Sequence, residues 1–84
     1  MENEKRIDLT KTLVDIVSAI VDDPKSVNVT SEDTQENEVT LTLTVAPDDV
    51  GRVIGKNGKI AQAIRQVMRT AANEIGKKVI VDIK

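Results

Sequence analysis

Glycine and basic residues are concentrated in the stretch VGRVIGKNGKIAQAIR, residues 50–65. Glycine inside a helix costs about 1 kcal/mol relative to alanine, so its use here needs a physical reason. The first backbone N–H groups of a helix are unpaired and lie at the positive end of the helix dipole. Gly55 and Gly58, with Lys56 and Lys59 beside them, therefore predict a site for phosphate at the start of the following helix.

Two common nucleotide-binding patterns do not fit this loop. A Walker A loop requires GxxxxGK followed by Ser or Thr, whereas Lys56 is followed by Asn57. The Rossmann pattern GxGxxG fails because Gly51 and Gly55 are four residues apart. The spacing leaves an alternative open, a helix-breaking turn in which the glycines serve backbone geometry alone.

Charge is unevenly distributed along a chain of net charge −2. Residues 1–49 hold four Lys or Arg and twelve Asp or Glu, a net of −8. Residues 50–84 hold eight Lys or Arg and two Asp or Glu, a net of +6, so the halves together give −2. Asymmetry of this size predicts one face that attracts anions, and a solvated basic helix face is the alternative.

The composition argues against catalysis and metal binding. The 84 residues include no His, Cys or Tyr, which removes the common nucleophiles and the groups that titrate near neutral pH. The adjacent carboxylates Asp22-Asp23 and Asp48-Asp49 lie at predicted helix ends, where Asp caps or stops a helix. We therefore predict that the protein is not an enzyme and holds neither cofactor nor metal.

Hydrophobic periodicity predicts the elements that position the loop. Helices are expected over residues 9–21, with Asp8 as the N-cap, over 50–54, and over 59–75, with Gly76 as the C-terminal cap. Strands are expected over 26–31, 39–45 and 78–83, and a polar loop over 32–38. The helix over 59–75 has one apolar face formed by Ile60, Ile64, Val67, Met68, Ala71 and Ile75. The order predicts an α+β fold in which the helices pack on one face of a sheet.

Length predicts a single domain over residues 1–84, with residues 1–7 as a flexible N-terminal tail. No apolar run approaches the roughly 20 residues of a membrane helix. The N-terminus MENEKRIDLT lacks the apolar region of a signal peptide. We therefore expect a soluble cytoplasmic protein.

The loop and its surroundings resemble the KH domain. The signature of that domain is IGxxG between two helices, and it clamps the backbone of about four nucleotides. The resemblance is carried by Val53-Ile54-Gly55-Lys56-Asn57-Gly58-Lys59 and by the helix positions Ile60, Ile64 and Val67. The element order matches the type II (bacterial) arrangement over about residues 8–83, and the central stretch is similar to the KhpA family of small bacterial RNA-binding proteins.

The resemblance implies a type II KH fold of order α-β-β-α-α-β, a three-stranded mixed sheet with three helices packed on one face. Single-stranded RNA would lie between the short helix and the strand over residues 39–45. Gly55, Lys56, Asn57 and Gly58 would contact its sugar-phosphate backbone, and Ile54 would form part of an apolar floor under the bases. Arg52, Lys59 and Arg65 are weaker candidates for phosphate contacts, the alternative being solvated helix charges.

The family further implies an RNA chaperone or post-transcriptional regulator, with a link to cell-wall homeostasis and cell length in some bacteria. Its members are described as homodimers and as partners of KhpB (EloR or Jag)-type proteins. Pairing would compensate for weak binding. Ile60 is a candidate dimer contact, although a core position on the helix stripe is the alternative.

The chain has no aromatic residue on which a base could stack, so we expect micromolar or weaker affinity for RNA. We also expect broad sequence tolerance and a steep salt dependence. A KH-fold adaptor that acts mainly by binding another protein is the competing hypothesis.

Overall fold

The first helix, α1 (Leu9–Ser18), begins where the sequence predicts, because the Asp8 carboxylate caps it. The backbone N–H of Lys11 donates to Asp8 Oδ1 over 3.1 Å. The computed structural model describes residues 8–84, so the predicted tail over residues 1–7 lies outside the described residues. The helix ends three residues earlier than predicted, since the chain tightens into a turn in which the N–H of Ile20 donates to the Val17 C=O.

Three strands form one mixed sheet: β1 (Asn28–Gln35), β2 (Glu38–Thr44) and β3 (Lys78–Ile83). Their spatial order is β1-β2-β3. The central strand β2 pairs antiparallel with β1 and parallel with β3. This is the three-stranded mixed sheet that the KH resemblance implies.

The predicted polar loop over residues 32–38 is mostly strand. β1 continues to Gln35, and only Glu36 and Asn37 turn the chain, with Asn37 at φ 65°. The sequence signal was misleading because every residue of β1 except Val29 is exposed, which leaves no apolar alternation to read. Backbone pairing with β2 holds this polar segment extended.

The two remaining helices are the short α2 (Val50–Ile54) and the long α3 (Lys59–Glu74). α1 packs on β1, α3 packs on β3, and α2 packs on α3. The core between helices and sheet is aliphatic. Its largest fully buried apolar side chains are Leu13 and Val17 of α1, Leu41 and Leu43 of β2, Val53 of α2 and Met68 of α3. The α+β order α-β-β-α-α-β is therefore as predicted.

α3 ends at a glycine cap, as its sequence indicates. Gly76 has φ 70°, the Lys77 N–H donates to the Ala72 C=O over 2.9 Å, and the Gly76 N–H donates to the Asn73 C=O over 3.2 Å. These two bonds form a Schellman motif, which releases the chain into β3. None of the helices formed by residues 8–84 is long and apolar enough to cross a bilayer.

Candidate nucleic-acid interface

The GKNG segment forms a tight turn that joins α2 to α3. Gly55 (φ 75°, ψ 174°), Asn57 (φ 58°, ψ 25°) and Gly58 (φ 75°, ψ 13°) all have positive φ. The Gly55 conformation is nearly exclusive to glycine, and Asn is among the few other residues that readily adopt the left-handed region. The Gly58 N–H closes the turn by donating to the Gly55 C=O over 3.1 Å. Glycine or asparagine therefore stands at each position of the turn that has a positive φ.

Gly55 is also required by close packing against the first turn of α3. A Cβ built at Gly55 would lie 2.7 Å from Ile60 Cβ and 2.9 Å from the Ile60 backbone nitrogen. A Cβ at Gly58 would meet open space. The helix-breaking alternative thus explains part of the motif, because Gly55 has a structural function of its own.

Two backbone donors of the turn are free to meet a ligand. Within residues 8–84, the N–H groups of Lys56 and Asn57 donate to no other protein group, and both residues are exposed. The Lys59 N–H donates to the Lys56 C=O. The expectation that the first N–H groups of α3 are unpaired is therefore wrong for Lys59.

The lysines of the turn add mobile positive charge. Lys56 and Lys59 are exposed, and neither forms an ion pair with any residue between 8 and 84. An anion bound by the free N–H groups of the turn would therefore face ammonium groups that no nearby carboxylate neutralises. This arrangement suits a phosphate of a flexible strand.

Arg52, unlike the two lysines, forms ion pairs with carboxylates. Its Nη2 lies 2.8 Å from Asp22 Oδ2 and its Nε lies 3.3 Å from Asp49 Oδ1. The guanidinium thus joins α2 to the connection between α1 and β1. Of the basic candidates, the structure brings Lys56 and Lys59 together at the turn and engages Arg52 elsewhere.

The groove expected between α2 and residues 39–45 stays a prediction, and β2 and β3 differ in their surroundings. β2 is paired along both edges, and its helix-facing side chains, Val39, Leu41 and Leu43, are buried. β3 is an edge strand next to α3, and Arg65 Nε donates to the Val81 C=O over 3.3 Å. Arg65 therefore lies between α3 and β3, about two turns along the helix from Lys59.

Two apolar residues near the turn are accessible. Ile54 is 39% exposed and Ile60 is 37% exposed, although the sequence placed Ile60 on the core face of α3. Val67, also assigned to that face, is 49% exposed. The buried stripe of α3 is instead formed by Ala61, Ile64, Met68 and Ala72. The helix is thus rotated about its axis relative to the prediction, and the two small alanines let it approach the core closely.

Sequence reasoning missed Asp49, which is 2% exposed and is the one buried charged residue between residues 8 and 84. Its carboxylate accepts the N–H groups of Asp22 and Asp23, each over 3.1 Å, and makes no capping bond to α2. The prediction that Asp49 caps a helix is thus wrong. The one sequence signal for a partner of Asp49 is Arg52, which lies three residues later, about one helical turn away.

Comparison with known families identifies the fold. The model of the KhpA/KhpB KH domain matches residues 10–83, from α1 to the last residue of β3. The chain belongs to the KhpA/KhpB KH-domain family. This is not a family of enzymes, and its type II KH fold is the one described above.

Curated relatives cover nearly the same span. The chain is 47% identical over 74 residues to "RNA-binding protein KhpA" of Clostridium perfringens, which covers 87% of this chain and 97% of the relative. The protein of that name in Clostridium acetobutylicum is 47% identical over 75 residues, or 89% and 99% of the two chains. Its counterpart in Listeria monocytogenes is 37% identical over 75 residues, or 89% and 97%. No solved structure matches the chain.

Proposed function

We propose that this protein binds single-stranded RNA through the turn over Gly55, Lys56, Asn57 and Gly58. The observation that carries the proposal is a pair of exposed N–H groups, at Lys56 and Asn57, that are unbonded within residues 8–84. Lys56 and Lys59 beside them pair with no carboxylate in that part of the chain. The KhpA relatives, whose names state RNA binding, support the choice of ligand. Lys59 and Arg65 supply further phosphate contacts along α3.

The proposed contact is to the sugar-phosphate backbone of the RNA, so the protein discriminates weakly between RNA sequences. Gly58 has no side chain, so a ribose or phosphate can approach the main chain at that position. Ile54 offers an aliphatic surface to a base, but no ring is available for stacking. Micromolar or weaker affinity for a short oligonucleotide follows.

The decisive variant is the double substitution K56D/N57D, which leaves both glycines in place. Both side chains are exposed, so the fold is retained, while RNA binding is lost because two carboxylates face the phosphate. Crosslinking to cellular RNA, followed by sequencing, measures the loss and identifies the targets of the wild type.

The matched control is K77D/N73D, which makes the same change in charge at the opposite end of α3 from the turn. Lys77 and Asn73 are both exposed, and the length of α3, 16 residues, separates them from the turn by more than about 20 Å. This control keeps its RNA binding. Persistent crosslinking of K56D/N57D would contradict the turn as the RNA site. A wild type that binds a KhpB-type protein but never crosslinks would favour the adaptor hypothesis.

We further propose that the protein acts as a cytoplasmic RNA chaperone or post-transcriptional regulator, paired with itself or with a KhpB-type partner. A link to cell-wall homeostasis and cell length is the corresponding cellular expectation. The exposed side chains of Ile60 and Val67, seven residues apart on α3, support a protein contact on this helix.

Light scattering of I60E and V67E tests the contact. Ile60 packs against Gly55, so I60E also disturbs the turn, whereas V67E changes an exposed position further along α3. We expect both variants to be monomeric under conditions in which the wild type is a dimer. A dimer that survives both substitutions would show that this face is not the contact.

A further inference from the structure

The helix that presents the turn is too short to be stable by itself. α2 has five residues, Val50–Ile54, and an isolated helix in water needs about 12 to 15. Its place in the molecule must therefore come from tertiary contacts. One is the Val53 side chain, which is fully buried in the core. The other lies immediately before the helix, at Asp49.

The Asp49 carboxylate ties the start of α2 to the connection between α1 and β1. Oδ1 accepts the Asp22 N–H and Oδ2 accepts the Asp23 N–H, each over 3.1 Å. Arg52, one turn into α2, reaches Asp49 Oδ1 with Nε and Asp22 Oδ2 with Nη2. A carboxylate that is 2% exposed is stable only when such donors replace the water that would hydrate it. The Asp49 carboxylate, the N–H groups of Asp22 and Asp23 and the Arg52 guanidinium therefore keep fixed positions relative to one another.

We infer that Asp49 is a positioning residue for the RNA site, because it fixes α2 and thereby the location and order of the Gly55–Lys59 turn. Asp49 precedes Gly55 by six residues and does not itself contact the turn's free N–H groups. The inference rests on the proposed function for its effect on RNA. The effect on the order of the turn does not require RNA.

The test is D49N, compared with D22N. An Asn side chain at position 49 keeps one acceptor oxygen, which can accept from only one of the two N–H groups of Asp22 and Asp23 as they are placed now. Its NH₂ group faces the other N–H, and because both are donors, that N–H loses its hydrogen bond. D22N makes the same charge change in the same cluster. The Asp22 side chain is 75% exposed, and among residues 8–84 it pairs only with Arg52, so little is lost. Both Asp22 and Asp23 backbone donors remain bonded to Asp49 in D22N.

We expect D49N to accelerate amide exchange at Lys56, Asn57 and Gly58 in the absence of RNA. If the turn then occupies its binding position a tenth of the time, the apparent Kd for a single-stranded oligonucleotide rises about tenfold. D22N leaves turn exchange at the wild-type rate and causes no loss of affinity. Sucrose in the buffer favours the compact state, which keeps D49N folded for the comparison.

A second control separates positioning from general destabilisation. Leu9 lies at the far end of α1 from Asp22, beside Val39, Leu41 and Ile75. L9A lowers stability without touching the Asp49 cluster, and sucrose is adjusted until L9A and D49N are equally stable. At matched stability, only D49N shows a disordered turn and weaker RNA binding.

The possible failures are distinguishable. If D49N has the turn exchange and oligonucleotide affinity of L9A at equal stability, the positioning role of Asp49 is wrong. If oligonucleotides leave the amide shifts of residues 55–59 of the wild type unchanged, the proposed function is wrong. In that case the exchange comparison without RNA still decides whether Asp49 positions the turn.

Discussion

Gly55 and Gly58 look equivalent in the motif but are under different physical constraints. Gly58 needs only a left-handed backbone, which costs another residue about 1–2 kcal/mol. Gly55 combines a conformation nearly exclusive to glycine with the close approach of Ile60. A side chain at Gly55 must therefore displace the first turn of α3 as well as strain its own backbone.

We predict that G58A lowers the free energy of unfolding by about 1 kcal/mol, and that G55A lowers it by about 3 kcal/mol. The difference reflects the atoms of Ile60 that a Gly55 Cβ would meet, since the Gly58 Cβ would meet none. Urea unfolding measures both values. Equal losses for the two variants would show that close packing at Gly55 is unimportant.

At the scale of elements, the β1–β2 hairpin depends on its turn and its pairing more than on burial. Seven pairs join β1 to β2, yet β1 has a single half-buried residue, Val29. The reversal is made by Glu36 and Asn37, and Asn37 has φ 65°. Asn is suited to this conformation, whereas a β-branched side chain is not.

We therefore expect N37V to lower the free energy of unfolding by about 1 kcal/mol or more and N37G to be nearly neutral. The neighbouring substitution E36V is the control for added apolar surface, since Glu36 has no positive φ. Thermal or urea unfolding of the three variants provides the measurement. An N37V variant as stable as N37G would contradict the left-handed conformation at residue 37.

At the scale of the whole molecule, the acidic and basic halves have different functions in the fold. The acidic half contributes the exposed strand β1 and the Asp22, Asp23 and Asp49 cluster. The basic half contributes the turn and α3. Local positive charge at the turn can thus coexist with a net charge of −2.

This separation predicts a local origin for the salt dependence of RNA binding. Each phosphate that a cation neutralises contributes about −0.7 to the slope of log K against log salt for a single strand. We expect K59Q to reduce the magnitude of the slope by about 0.7, because Lys59 has no carboxylate partner among residues 8–84. K77Q, beyond the opposite end of α3, serves as the control. Fluorescence anisotropy at several salt concentrations gives the slopes, and equal slopes for K59Q and wild type would exclude Lys59 from phosphate contact.

Much of the fold was predictable because its signals are local. The Asp8 cap, the alternation in β2 and the Gly76 cap each involve residues within a few positions of one another. Features that depend on distant partners were not predictable. β1 is extended because β2 pairs with it, and Ile60 is partly exposed because of how α3 rotates against the sheet.

The amino-acid sequence by itself determined the type of site: a glycine-flanked turn with lysines at the start of a helix, in a chain without the groups for catalysis. Tertiary structure alone decided which groups are free to act there. Arg52 is engaged by carboxylates, Asp49 is buried against donors 26 and 27 residues away, and Arg65 donates to the Val81 C=O of β3. The physical reason is that a side chain's hydration and charge depend on neighbours in space, and the order of residues along the chain does not specify those neighbours.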